Sequence, residues 1–388
     1  MKDIDLAIKR QLEAVTSTPL ESAKRAGLLN NLGKSYHSRF NRFGEMEDID
    51  SSVKLLLEAV SSTPLDSACR LIFVDNLGSS YTDRFGHSGD VRDIDLAIKE
   101  QLEAVASIPI DSPDRSRFFD HLGNSYLERF RHSGDVKDID LAIKQQLEAV
   151  ASASLGSANR PGFISNLGSL YMCRFQRFWE VKDIDSAIEK MVEAVATIPL
   201  DSADRPISLY NLGNSYLHRF KSNQEPTDLE ESISNFRLSS LSFKGLPSTR
   251  IGGSLQWAHL AHKLDNLESA SEAYDQAIRL LPQVAWIGLN AVAQLKELNG
   301  IQTLGCNAAA CMIALAQAEP HNRQCHLGRA IELLDQGRSI LWSQTSNFKR
   351  DLEDLQGVDS DLASDLDNVG KFLVQGCFRD PKRPSLGN

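Results

Sequence analysis

The chain has 388 residues, 41% hydrophobic and 24% charged, with a net charge of −10, the composition of an ordinary folded protein in water. The negative balance is even, −5 over residues 1–221 and −5 over the rest, so no basic face is offered to nucleic acid and an anionic membrane surface would repel the chain. Six cysteines, at 69, 173, 306, 311, 325 and 377, form no Cys-x-x-Cys pair, which suggests free or buried thiols in a reducing compartment. No signal peptide or membrane-length apolar run is visible, Ala308 to Ala316 being the longest small-apolar stretch, and the expected address is the cytoplasm.

Two markers recur every 45 residues. Asp3-Ile4-Asp5 returns at Asp48, Asp93, Asp138 and Asp183, and weakly as Asp228-Leu229-Glu230. Asn31-Leu32-Gly33 returns with its Leu-Gly at Asn76, His121, Asn166 and Asn211. A strict period of this length means a repeat array, in which each unit buries surface only against its neighbours and the core grows lengthwise.

The opening residues align with Val91, Val136 and Val181, so the chain begins on the second helix of a unit whose first helix is missing. An end of this kind exposes an apolar face; a truncated start is expected, with coverage by another chain as the alternative. The segment Leu65–Pro109 shows one whole unit. Asp66 and Ser67 can cap a first helix, along which Val74, Leu77, Gly78, Tyr81 and Phe85 form one face. Gly86 to Gly89 are expected to end it, after about 18 residues. Asp93 is expected to start a second helix, with Asp95 in its first turn where the dipole favours negative charge. Ile94, Ala97, Ile98, Leu102, Ala104 and Val105 form its stripe, and Pro109 stops it after about 14 residues.

The recurring glycines Gly33, Gly78, Gly123, Gly168 and Gly213 each cost about 1 kcal/mol against Ala in a helix. Close approach of the partner helix, at small residues such as Ala97, Ala142 and Ala187, is the expected compensation.

Leu77-Gly78, Tyr81, Ala97, Ala104 and Pro109 resemble the tetratricopeptide signature, with Gln101 standing where that family has an aromatic residue. Added residues between Gly78 and Ala97, and after Pro109, lengthen the family's unit of about 34 residues. The resemblance covers roughly residues 1–245. It implies an all-α, right-handed superhelical solenoid of antiparallel helix pairs, with first helices lining a concave surface.

Beyond Lys244-Gly245-Leu246-Pro247 the long beat ends. Ala258, Ala270, Tyr274, Ala277 and Pro282 then restore the family spacing of a standard unit over 246–282. Helical stripes follow at about 285–298, 301–318 and 325–345, placing a helical continuation over 283–349; 350–388 reads as an acidic, weakly helical segment and a disordered tail. Ala285-Trp286-Ile287-Gly288-Leu289 and Leu334-Asp335-Gln336-Gly337-Arg338-Ser339-Ile340-Leu341-Trp342 are similar to the region before the CHAT domain in fungal TPR–CHAT proteins, whose repeats precede a caspase-like peptidase. That resemblance implies a downstream domain of this kind in a longer chain; the strands and the His and Cys of such an enzyme are not in these residues.

Cys306, Cys311, His321, Cys325 and His326 lack paired metal-ligand spacing and read as core packing, without metal or cofactor. Gly252-Gly253-Ser254 and Gly300 to Gly305 lack the setting of a phosphate loop and read as helix boundaries. Asn31, Asn76, His121, Asn166 and Asn211 stand just before each Leu-Gly. The resemblance turns this position toward the groove, where a row of amides, extended by Asn124 and Asn214, can meet the backbone of an extended peptide. The alternative is that each amide buttresses a neighbouring loop. Of the cations a carboxylate clamp would need, only Lys34 and Arg117 fit. Two arginine rows, Arg25, Arg70, Arg115, Arg160 and Arg205, and Arg39, Arg84, Arg129, Arg174 and Arg219, are expected to pair with carboxylates of the Asp95 and Glu103 type across repeats.

The expected function is that of a non-catalytic scaffold or regulatory arm that binds a protein or peptide in its groove, without nucleic acid or membrane. The alternatives are a fragment of a caspase-like peptidase and a self-associating array.

Overall fold

A computed structural model describes residues 2–65, 67–284, 303–338 and 360. The helical stripe expected at 285–298, the segment 350–373 apart from residue 360, the tail 376–388, the Trp286 and Trp342 motifs, and the capping role of Asp66 lie outside the described residues.

Among the described residues the chain is all-α, without a strand. The helices are α1 Lys2–Ser17, α2 Arg25–Phe43, α3 Met46–Ser61, α4 Ala68–Ser88, α5 Val91–Ser107, α6 Arg115–Ser133, α7 Val136–Ser152, α8 Arg160–Phe178, α9 Val181–Thr197, α10 Arg205–Asn223, α11 Pro226–Leu241, α12 Pro247–Lys263, α13 Leu267–Val284, α14 Leu304–Ala318 and α15 Arg323–Arg338. Backbone packing divides the chain into two units, Met1–Ala194 and Val195–Asn388.

In the first unit α2 pairs with α3, α4 with α5, α6 with α7, and each second helix packs on the next first helix. One apolar core runs from Ile8 through Leu32, Leu77, Ile94 and Leu122 to Leu170, the lengthwise core of a solenoid. In the second unit α10 pairs with α11, α12 with α13 and α14 with α15, around cores centred on Phe236 and Trp257 and on Leu281 and Leu304.

Both helices of the unit are longer than the apolar periodicity predicts. α4 has 21 residues and passes through Gly86 to Ser88, and α5 has 17. The stop is Gly89, whose left-handed φ of 71° lets its N–H reach back to the Phe85 carbonyl, as in a helix C-cap of the left-handed type. Gly44 and Gly134 do the same, while Trp179 and Gln224 hold this conformation with side chains, at φ 58° and 59°. The second helix begins at Val91 rather than Asp93, because Asp90 accepts the Arg92 backbone N–H. Ser67 precedes α4 but makes no side-chain cap. α5 already ends at Ser107, before Pro109, and Pro282 lies inside α13.

Of the two other glycine clusters expected at helix boundaries, the one at 305 stands at a helix start and the one at 252–253 does not. Gly252 and Gly253 lie within α12, where a Cβ on Gly253 would stand 2.9 Å from the Phe236 carbonyl oxygen. Gly305 lies in the first turn of α14, and a Cβ there would stand 3.1 Å from the Cα of Gly337 on α15. Both mark helix crossings too close for a side chain.

Since L-residues other than Gly strain at positive φ, Gln224→Gly is expected to stabilise the protein by about 1 kcal/mol. Its thermal unfolding midpoint should rise; an unchanged or lower one contradicts the strain.

Candidate binding surface

Each helix pair crosses at its Leu-Gly. A Cβ on Gly33 would lie 2.9 Å from Leu56 Cγ, on Gly78 2.7 Å from Gln101 Cγ, on Gly168 3.0 Å from Met191 Cγ, and on Gly213 3.0 Å from Phe236 Cδ1. On Gly123 it would lie 3.2 Å from Gln146 Oε1 and 3.4 Å from the Ala142 carbonyl. The residue that fills the space over the glycine is thus the one at the family's aromatic position, four after the small residue. Ala97, Ala142 and Ala187 are fully buried and supply the close backbone, the Ala187 carbonyl being 3.2 Å from a Gly168 Cβ.

The residues before Leu-Gly form rungs between successive first helices. Asn76 Nδ2 donates to Asn30 Oδ1 at 2.8 Å, and Asn166 Nδ2 to Asp120 Oδ1 at 2.9 Å. His121 Nδ1 sits 2.9 Å from both Asp75 carboxylate oxygens. The acceptors Asn30, Asp75 and Asp120, overlooked in the sequence, occupy one repeating position immediately before the amide row, a polar run on an otherwise apolar face. Gln146 Nε2 joins Asp120 at 2.7 Å, and Ser125 Oγ donates to Gln101 Oε1 at 2.6 Å. The two glutamines at this position therefore carry buried polar contacts. Asn31 is exposed, and Asn211 and Asn214 are half-buried in the second unit.

The arginines behave otherwise than expected in part. Arg84 forks onto Asp93 at 2.7 and 2.6 Å in its own repeat and reaches Asp50 of the preceding one at 3.0 Å. Arg39, Arg129 and Arg174 repeat the arrangement with Asp48 and Asp5, Asp138 and Asp95, Asp183 and Asp140, and Arg219 forks onto Asp228. Hydrogen bonds to these carboxylates raise the arginine pKa values further, against burial. The other row does not chiefly seek carboxylates. Arg25 donates to the Val15 and Thr18 carbonyls, Arg70 to those of Val60 and Thr63, Arg115 to that of Ile108, and Arg160 to those of Val150 and Ala153; in the second unit Arg205 donates to those of Val195 and Ile198. These guanidinium groups close the C-terminal ends of the preceding second helices, whose last carbonyls lack helical donors. Of this row Arg25 also meets Glu58, at 3.2 Å.

Over the rungs lies a groove of about 570 Å3 whose walls come from α4, α6 and α8 alone. Asp83, Asn124, Glu128, Arg131, Asn166 and Ser169 line it with Leu127 and Leu170. Of the amides picked out in the sequence, Asn124 and Asn166 meet here. Arg117 is instead held at 3.5 Å from Asp75 and 3.4 Å from Asp114, and Lys34 is exposed. The Cys–His cluster does not form a core: Cys311 is buried, Cys306 and Cys325 are exposed, and His326 meets Glu319 at 3.1 Å.

Antiparallel pairs crossing at Leu-Gly and stacked in register settle the fold. The chain is built of tetratricopeptide-like repeats. No family model and no curated protein matches it. Among solved structures, the C-terminal part of a TPR repeat-containing protein from Cytophaga hutchinsonii is 15% identical, with a TM-score of 0.42, over 78% of this chain and 99% of that one. A putative kinesin light chain of Podospora anserina with TPR-like repeats is 16% identical, with a TM-score of 0.41, over 57% and 100%. PilF of Pseudomonas aeruginosa is 15% identical, with a TM-score of 0.43, over 70% and 95%.

These repeats make three predictions. Gly123→Leu should overpack the α6–α7 crossing and cost ~1–3 kcal/mol, read as a lower unfolding midpoint. Arg84→Ala should leave the buried Asp93 unpaired and cost ~3 kcal/mol or more in denaturant titration, whereas Arg92→Ala, on an exposed pair, should be near neutral. The third concerns His121. Burial lowers its pKa, but the hydrogen bond and charge of Asp75 and the charge of Asp120 outweigh burial and the Arg117 charge, so the net shift is upward from 6.5. A pKa raised on folding adds stability that is whole below 6.5 and is lost as pH rises through the folded value. His121→Asn, which restores the residue of the other repeats, should lose less stability than wild type between pH 6 and 8.5 in paired denaturant titrations.

Proposed function

We propose that the chain is a protein-interaction scaffold that holds an extended peptide segment along the first helices of its first unit. The observation that carries this reading is the groove over α4, α6 and α8, in which polar groups of both signs alternate with Leu127 and Leu170. Leu127 and Leu170 are almost fully buried and form its base, and side-chain amides can serve a peptide's backbone N–H and C=O groups without selecting a sequence. The rungs beneath contribute rigidity. Asn166 Nδ2 is engaged by Asp120, which fixes its carboxamide and leaves its carbonyl as the acceptor for a ligand N–H. Fixing the recognition groups before binding lowers the entropy lost on association.

The similarity of the later segment to fungal TPR–CHAT proteins supports a finer reading. The array would be the regulatory arm of a longer protein, and ligand capture would position or release a peptidase-like effector. In that reading the repeats themselves carry no chemistry. Among the described residues no helix is long and apolar enough to cross a membrane.

A peptide-array screen followed by anisotropy titration tests the groove. Asn124→Ala and Arg131→Glu should each weaken a selected peptide by about tenfold or more, the size of a lost charge-assisted contact, with helicity unchanged. Equal affinity in both variants would remove the groove from the ligand's path.

A further inference from the structure

The first unit carries a second periodic feature, away from the groove. Leu20, Leu65, Ile110 and Leu155 recur in step with the repeats and are 79%, 84%, 87% and 89% exposed. Scattered surface leucines need no explanation, but an aligned series does. Each stands at the corner of the turn that joins a second helix to the next first helix. The turns are closed by backbone bonds from Ser22 to Pro19, Ser67 to Pro64, Ser112 to Pro109 and Ser157 to Ser154, at 3.0 to 3.1 Å. The arginines that cap the second helices hold the bases of these turns. The side chains are therefore presented outward on rigid corners, where the apolar area costs little conformational entropy to bury.

Beside Leu65 the edge opens into a groove of about 720 Å3, with half-buried Leu71 and Ile72 along it and buried Val74, Ile108 and Phe118 at its base. The exposed charges beside it, Glu103 in its lining and Asp111 on the adjoining turn, are acidic, while Asp114 in its wall is taken up by Arg117 at 3.4 Å. The cation in the lining, Arg70, has its guanidinium turned onto the Val60 and Thr63 carbonyls. A second copy of this edge would bring carboxylate against carboxylate, which is disfavoured. A basic partner would not.

We infer that this edge is a docking surface for a basic amphipathic helix, whose apolar side chains pack on Leu65 and Ile110 while its lysines or arginines meet Glu103 and Asp111. This occupant is distinct from the groove ligand, so a partner could be gripped at two faces of one unit, and the two contacts would add through effective concentration.

The test uses the full chain and two labelled peptides of one length and one leucine pattern, the first with lysine at every polar position and the second with glutamate. Anisotropy titration should show the Leu/Lys peptide binding wild type at least tenfold more tightly than the Leu/Glu peptide. The double variant Leu65→Ser/Ile110→Ser, both positions exposed, should keep its helicity by circular dichroism and lose at least tenfold in affinity for the Leu/Lys peptide. Glu103→Lys/Asp111→Lys should lose as much, and Arg131→Glu in the first-helix groove should change nothing. Equal binding of both peptides, or unchanged affinity in the double serine variant, overturns the inference. So does a dimer in light scattering that the serine substitutions dissolve, which would assign the edge to a second copy. Tighter binding of the Leu/Lys peptide in Arg131→Glu, with the serine and charge-reversal variants unchanged, would place the basic peptide in the groove instead and overturn the edge.

Discussion

The close crossing of two helices at Leu-Gly is the constraint on which the rest of the structure depends. Gly78 brings Gln101 within van der Waals reach, as Gly33 does Leu56 and Gly168 Met191. A helix axis fixed at that distance leaves no room for slippage, because interiors are packed too densely to deform continuously. Once the pair is fixed, its ends are fixed too. The arginine fork between the two helices, Arg84 on Asp93, needs the close spacing to close with both oxygens, and the reach to Asp50 ties each pair to the one before.

The same geometry explains why polar residues persist in so apolar an array. Buried polar groups are tolerated where their partners are held in place. Asp120 receives Asn166 and Gln146, and Asp75 receives His121, so a buried carboxylate stands between successive first helices with hydrogen-bond partners on it. These rungs specify register along the stack more than they add stability, since a satisfied polar pair contributes only about 1 kcal/mol. Register matters here. A slip would separate the donors from their acceptors and misalign both the groove and the apolar corners.

In the proposed reading, binding is a property of faces. The first helices contribute a mixed polar floor, and the inter-repeat turns contribute rigid apolar corners with acidic borders. Both are repeated by the fold, so each is extended along the stack and suits an extended or helical ligand better than a compact one.

The period, the helix pairs and the importance of the Leu-Gly positions were legible in the residues, because apolar spacing and the cost of glycine in a helix are local matters. Helix ends were less so: Gly86 continues α4 and Gly89 stops it, a difference that lies in the backbone angle one glycine adopts. Gly253 looks like a break until the neighbouring helix is seen to pass within contact distance. The amides before Leu-Gly were visible as a row, yet their acceptors, Asn30, Asp75 and Asp120, belong to the preceding repeat. The role of the arginines at the first-helix starts was hidden for a similar reason, since a carbonyl at a helix end carries no signature in the side chains. Sequence alone determined which residues recur and on which face of a helix they fall. Tertiary structure decided what each one touches, because the partner of a recurring residue is set by how one helix pair is rotated on the next, and that rotation is the sum of many contacts spread over two repeats.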